Sequence, residues 1–186
     1  GTPEVTTERT LKALSQFMLY AVSAGSRYDD FKRGASNALS TTEKEGLSIF
    51  EAKCGSCHPA PFFTNNGFAN NGLDNSRNPD VGREQITLNP SDKHTFMVPT
   101  LRNIAYTAPY MHDGRFISLK QVLDHYSSGV KSTPTLAPEL KQGNGRLGIP
   151  LTEDEKQKII AFLRTLSDEQ FIRDWRFADP GFGLAF

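Results

Sequence analysis

Cys54-Gly55-Ser56-Cys57-His58 is the stretch whose residue types and spacing carry chemistry. Two thiols three positions apart, followed at once by an imidazole, form a c-type haem attachment motif. Thiols about one helical turn apart can add to the two vinyl groups on one edge of a porphyrin, and the next side chain then brings a ring nitrogen to the iron. A structural zinc site would need four thiolate or imidazole ligands. The chain holds only two cysteines and no His-x3–5-His pair. A thioredoxin-like redox pair would need a βαβ setting, which the flanking sequence lacks. The motif predicts one haem c, bound through Cys54 and Cys57 with His58 as the proximal iron ligand.

The elements that must position this motif are helical. From about Thr7 to Ala24, Leu11, Leu14, Phe17, Met18, Ala21 and Val22 recur at spacings of three and four, which gives one apolar face. The polar stretch from Arg27 to Ala38 has Tyr28 and Phe31 as anchors. Ser40-Thr41-Thr42-Glu43 is a capping box that starts a helix burying Leu47 and Phe50 and running into Cys54. Ser118-Leu119-Lys120-Gln121 starts another, with Leu119, Val122, Leu123 and Tyr126 on one face and Gly129 as its stop. Thr152-Glu153-Asp154-Glu155 caps the clearest helix, whose inward stripe is Ile159, Ile160, Phe162, Leu163 and Leu166. Between Pro59 and Pro99 the chain reads as loop. A loop that long in a compact domain is usually functional, and a haem gives Phe62, Phe63, Phe68, Leu73, Phe96 and Val98 something to pack against. The tail, with Trp175, Phe177 and Phe182, has no regular period and is expected to lie on the surface. No strand pattern stands out. The fold class expected is all-α: a cytochrome c-like helical domain with long loops wrapped around one covalently bound haem.

Composition sets the outer bounds. The chain has 186 residues, 37% hydrophobic and 23% charged, with 21 basic and 21 acidic side chains that cancel. That balance offers no basic surface for nucleic acid. No apolar run approaches the roughly 20 residues that span a bilayer. No signal peptide opens the sequence, and Gly1-Thr2-Pro3-Glu4 reads as an internal cut that leads quickly into a helix. Covalent haem attachment takes place outside the bacterial cytoplasm, so a periplasmic location is expected. One domain spans residues 1–186, with a leading helix and linker at 1–38, a haem-binding core at 39–170 and a tail at 171–186.

The iron face opposite His58 needs a ligand of its own, since a thioether there raises the potential and a phenol oxygen favours the ferric state. The sequence offers Met18, Met97, Met111, Tyr126, His94, His112 and His125. Met18 reads as core, and His94 and His125 have charged neighbours that place them toward solvent. Met97 and Met111 lie in loops, where such a ligand commonly originates.

Two stretches, Val98-Pro99-Thr100-Leu101-Arg102-Asn103 and Thr107-Ala108-Pro109-Tyr110-Met111-His112-Asp113-Gly114, together with the helix Leu119 to Tyr126, resemble the bacterial dihaem cytochrome c peroxidases and the related MauG-type enzymes. The resemblance runs from the first helix to Phe177-Ala178-Asp179-Pro180, and the order of landmarks matches the C-terminal haem domain of that family. It implies a second haem, where peroxide reacts, in an N-terminal domain, and a His58/Tyr126 iron with Met111 as the alternative. It also implies a calcium ion shared between the domains and reached here by backbone oxygens of Thr107 and Pro109. Arg102 is expected to pair with a haem propionate, and His112, beside Asp113, to belong to the haem environment. The function implied is electron transfer to the peroxide-reducing haem, with hydrogen peroxide as substrate, a small cytochrome or cupredoxin as donor, and a homodimer as one possible assembly. Two other functions fit the same residues: a stand-alone monohaem electron carrier, and a MauG-like enzyme that oxidises a protein partner through high-valent iron.

Overall fold

The computed structural model describes residues 2–73, 80–178 and 181. Its chain runs through helix α1 (Thr7–Tyr20), a short α2 (Arg27–Lys32) and α3 (Thr41–Cys54). A long excursion follows, with strand β1 (Phe68–Ala69), one turn of helix α4 (Glu84–Thr87) and strand β2 (Phe96–Met97). Then come α5 (Leu119–Asp124), continued by a π turn over His125–Gly129, and finally α6 (Glu153–Arg164) and α7 (Glu169–Ile172).

Local chemistry starts these helices. At Ser40/Glu43, Ser118/Gln121 and Thr152/Glu155 the N-cap hydroxyl accepts from the third backbone N–H, and the third side chain accepts from the cap N–H. Ser26/Asp29 makes a fourth such box and turns the polar stretch after Arg27 into α2. The acidic first turn of α6 (Glu153, Asp154, Glu155) and its terminal Arg164 suit the helix dipole.

The core forms where α3 crosses α6. Phe50, Phe63, Tyr28 and Phe162 meet edge-on or tilted, with ring centroids 5.0–6.0 Å apart. Leu39, Leu47, Leu123, Ile159, Leu163 and Leu166 close around them. The crossing needs Gly46, because a Cβ there would lie 2.0 Å from the carbonyl oxygen of Lys158. Ion pairs bracket the contact: Lys53 with Glu155 (2.7 Å) and Lys158 with Glu45 (2.9 Å). A second, smaller cluster of Val130, Leu136, Ala137 and Leu140 takes in the ring of Tyr126.

Several expectations change here. α1 buries none of its residues, and Met18, read as core, is 73% exposed. Its C-terminal end docks where Phe17 and Tyr20 meet Phe177 at 5.9 Å. The tail does lie on the surface, with Trp175 exposed, while Phe182 falls outside the described residues. The excursion from Pro59 to Pro99 is not all loop: Phe68 pairs with Met97 and Ala69 with Phe96 in an antiparallel ladder. Strands of two residues are too short to show a period of two in sequence, so the chain is helix-rich with a minor β element. Phe63, assigned to the haem, lies in the α3–α6 core instead, and Phe62 and Phe68 are exposed.

Candidate haem site

The attachment motif sits where α3 ends. The backbone N–H groups of Cys57 and His58 both donate to the Cys54 carbonyl (3.3 and 2.9 Å), which winds the motif into one compact turn. Asn65 N–H then donates to the Cys57 carbonyl (3.0 Å) and folds the following loop back on it. Both cysteines are free and partly buried. Burial, with the Cys57 thiol beside it, pushes the Cys54 thiol up to about 12, and burial raises Cys57 as well. Both therefore stand as neutral thiols.

His58 is oriented by backbone. Its Nδ1 lies 2.9 Å from the carbonyl oxygen of Phe63, and a carbonyl can only accept, so Nδ1 carries the proton. Nε2 is then the lone-pair nitrogen, the tautomer a metal ligand needs. Phe63 serves both the site and the core: a left-handed backbone (φ 54°) aims its carbonyl at the imidazole while its ring enters the α3–α6 core. Burial lowers the His58 pKa, with the Phe63 and Pro99 carbonyls acting against it, so the ring is neutral at neutral pH.

Tyr126 comes from the π turn that follows α5. Single π turns in otherwise α-helical segments are frequent at functional sites. Burial pushes the Tyr126 hydroxyl up to about 12, a side-chain hydrogen bond with Asn71 works the other way, and the Cys54 and Cys57 thiols lie near enough to act on it. Its backbone is clamped: Ile149 N–H donates to the Tyr126 carbonyl at 2.7 Å, and Gly148 (φ 84°) passes so close that a Cβ would stand 2.4 Å from that oxygen. The structure thus brings Cys54, Cys57 and Tyr126 to one space. Met111 borders it, in a left-handed conformation (φ 73°), with its sulfur accepting from Asn71 Nδ2 at 3.3 Å.

The other sequence candidates lie differently. Arg102 is already paired: its two terminal nitrogens donate to the Asp29 carboxylate at 2.8 Å each, and Nε donates to the Pro61 carbonyl at 3.0 Å. In this structure the Arg102 guanidinium is held by an internal carboxylate. His112 stacks on Phe96 at 3.9 Å, and its Nε2 is buried with no hydrogen-bond partner among the described residues. Thr107 and Pro109 are at the surface, and no cluster of metal-ligating acidic, thiol or imidazole groups appears among the described residues. Met97 is exposed and His94 half-buried. His125, expected in solvent, is buried, with Nε2 donating to the Asn71 carbonyl at 3.0 Å. Asn71 was not legible in sequence: nothing in Asn70-Asn71-Gly72-Leu73 separates it from a turn former.

These residues fit a haem c. Two neutral thiols stand on one turn, an imidazole has its Nδ1 committed to a carbonyl, and a buried ring nitrogen of His112 lacks a partner among the described residues.

No family model matches the chain. It is 34% identical over 174 residues to the cytochrome c551 peroxidase of Nitrosomonas europaea, covering 91% of this chain and 47% of that protein. It is 34% identical over 162 residues to the methylamine utilization protein MauG of Methylorubrum extorquens, covering 84% and 43%. The chain spans about half the length of these curated relatives. Among solved structures, a MauG-like protein associated with microbial copper homeostasis superposes with a TM-score of 0.78 at 34% identity, over 95% of this chain and 62% of that one. The dihaem peroxidase BthA from Burkholderia thailandensis shares the fold, with a TM-score of 0.58 at 24% identity over 80% of this chain and 47% of that one. With an attachment turn and an oriented imidazole, and with these relatives, the chain belongs to the family of cytochrome c peroxidases and MauG proteins.

Proposed function

We propose that this chain is the electron-relaying haem c domain of a peroxidase-type oxidoreductase, passing electrons to a peroxide-reducing haem in a domain N-terminal to it. The observation that carries this reading is the Tyr126 hydroxyl in the same space as the Cys54 and Cys57 thiols. When bound, haem c supplies a one-electron couple at an iron that cannot dissociate from the chain. Cys54 and Cys57 would hold the porphyrin edge as thioethers. His58 would hold the iron through Nε2, its tautomer fixed by the Phe63 carbonyl. Tyr126 would be the second side chain on the iron and would deny peroxide and water a direct approach, so the site would relay charge and not bind substrate. His112 Nε2, buried and unpaired among the described residues, suits a haem propionate.

Hydrogen peroxide would be the substrate of the whole protein, a small cytochrome or cupredoxin its electron donor, and the periplasm its location. A calcium ion, reached by the exposed carbonyls of Thr107 and Pro109 and completed by the other domain, belongs to the same reading. A second reading, oxidation of a protein partner, is favoured by the tyrosine at position 126 together with relatives named MauG.

Steady-state peroxide turnover with a reduced cytochrome as donor tests the division of labour. This chain alone is expected to turn over peroxide far more slowly than when joined to its N-terminal domain, while still exchanging electrons with the donor. Equal turnover by the two would falsify the relay role. The ligand is read separately: Tyr126→Phe should change the ferric spectrum and raise the reduction potential, and Met111→Leu should leave both as they are.

A further inference from the structure

We propose that Asn71 is the positioning residue that decides which of two side chains, Tyr126 or Met111, completes the iron coordination opposite His58. The inference rests on the reading of Tyr126 as the ligand, and concerns what keeps it there.

The geometry starts from the amide. Asn71 Oδ1 accepts from Leu73 N–H at 3.2 Å, and Nδ2 donates to the Met111 sulfur at 3.3 Å. A backbone N–H only donates and a thioether only accepts, so the two contacts fix which end of the amide is which. The same side chain lies near enough to the Tyr126 hydroxyl to work against the upward push of burial on it. Nδ2 carries two hydrogens, enough for the sulfur and the phenol oxygen together. The Asn71 carbonyl takes the His125 Nε2–H at 3.0 Å, which locks the residue to the π turn that carries Tyr126. One residue thus holds the Met111 sulfur and is bonded to the π turn that presents Tyr126.

Met111 is well placed to compete. Its backbone is fixed at the tip of a tight turn, where Tyr110 N–H donates to Phe116 at 2.7 Å and Gly114 N–H to Met111 at 3.2 Å. Its unbranched side chain remains free to rotate. Thioether sulfur is a good axial ligand for a haem that also has histidine, but only a weak hydrogen-bond acceptor. The restraint on Met111 is therefore light, and among the described residues it depends on the donor that Asn71 supplies. Without that donor the sulfur is released and the phenol oxygen loses its brace in the same step. In the haem-loaded protein the exchange would replace an iron–oxygen bond by an iron–sulfur bond without a change of oxidation state, and the released phenolate would take a proton from solvent.

The test uses the haem-loaded protein and reads the ferric spectrum and the reduction potential. Asn71→Asp keeps the acceptor for Leu73 and the side-chain volume but removes the donor, and Asn71→Leu removes both. Both variants should gain the long-wavelength band of a sulfur-ligated ferric haem, with a raised potential. Adding Met111→Leu to Asn71→Asp should abolish the band, which a general loosening of the fold would not do. Wild-type spectra and potentials in both Asn71 variants, when Tyr126→Phe alone does change the spectrum, would overturn the role of Asn71 and leave Tyr126 as ligand. An unchanged spectrum in Tyr126→Phe would remove the ligand reading and this inference with it. An altered spectrum in Asn71→Asp that survives Met111→Leu would also overturn it, by assigning the change to something other than the sulfur.

Discussion

Helices α1 and α6 have the same kind of sequence and opposite fates. Each is amphipathic, with apolar residues three and four apart. In α6, Ile159 and Phe162 reach 0% exposure, pressed on α3. In α1, Leu14 and Phe17 are more than half exposed, and no residue is buried. Periodicity therefore tells which face of a helix is apolar and does not tell what covers it. α6 is covered because Gly46 lets α3 approach within backbone contact and because Phe63 and Tyr28 arrive from elsewhere in the chain.

Mutations in the covered core and on the uncovered helix sharpen this contrast. Phe162→Ala should have the largest effect, a loss of about 3–5 kcal/mol, since a large ring is removed from a site with no solvent beside it. Denaturant unfolding followed by far-ultraviolet circular dichroism measures it, and a loss below about 1 kcal/mol would mean that the α3–α6 contact is not the centre of the fold. Arg102→Ala comes next, at about 3 kcal/mol, because it leaves the Asp29 carboxylate largely buried and unpaired. Gly46→Ala should cost about 1–3 kcal/mol by forcing α3 and α6 apart, and a neutral result would show that the crossing relaxes more easily than its geometry suggests.

The Arg102–Asp29 pair also gives the core a pH dependence. Burial pushes the Asp29 carboxyl up, but hydrogen bonds from Arg102 and Ser26 outweigh it and hold the carboxyl below its ordinary value. A carboxyl with a lowered folded-state pKa contributes stability above its unfolded pKa and loses it as pH falls through the folded one. Acidification below about pH 4 should therefore lower the unfolding midpoint, and Asp29→Asn should flatten part of that fall. An Asp29→Asn profile parallel to that of the wild type would assign the acid sensitivity to other groups. Leu14→Ser, on the uncovered face of α1, should have the smallest effect, within about 0.5 kcal/mol. A loss of several times that would show that α1 packs against something in solution.

The candidate site was legible to the degree that it is local. Cys54, Cys57 and His58 are neighbours in the chain, and one turn at the end of α3 suffices to arrange them. His125 was misplaced because its charged neighbours suggested solvent, while the carbonyl that buries it belongs to Asn71, 54 residues away. Arg102 was matched to a propionate by its chemistry alone; its carboxylate partner, Asp29, lies 73 residues earlier. The fourth capping box, at Ser26, was present in the sequence but has an aspartate in place of the glutamate or glutamine that marks the others.

What the sequence determined by itself were features whose cause lies within about one helical turn: the attachment motif, the capped helix starts and the apolar stripes. Each follows from hydrogen bonds or side-chain directions among residues three or four apart. Only the tertiary structure decided which stripe is buried, which carboxylate receives Arg102, and that one asparagine lies between two candidate iron ligands. Those outcomes depend on which distant segments meet, and the meeting is set by shape and by the pairing of buried polar groups over the whole chain.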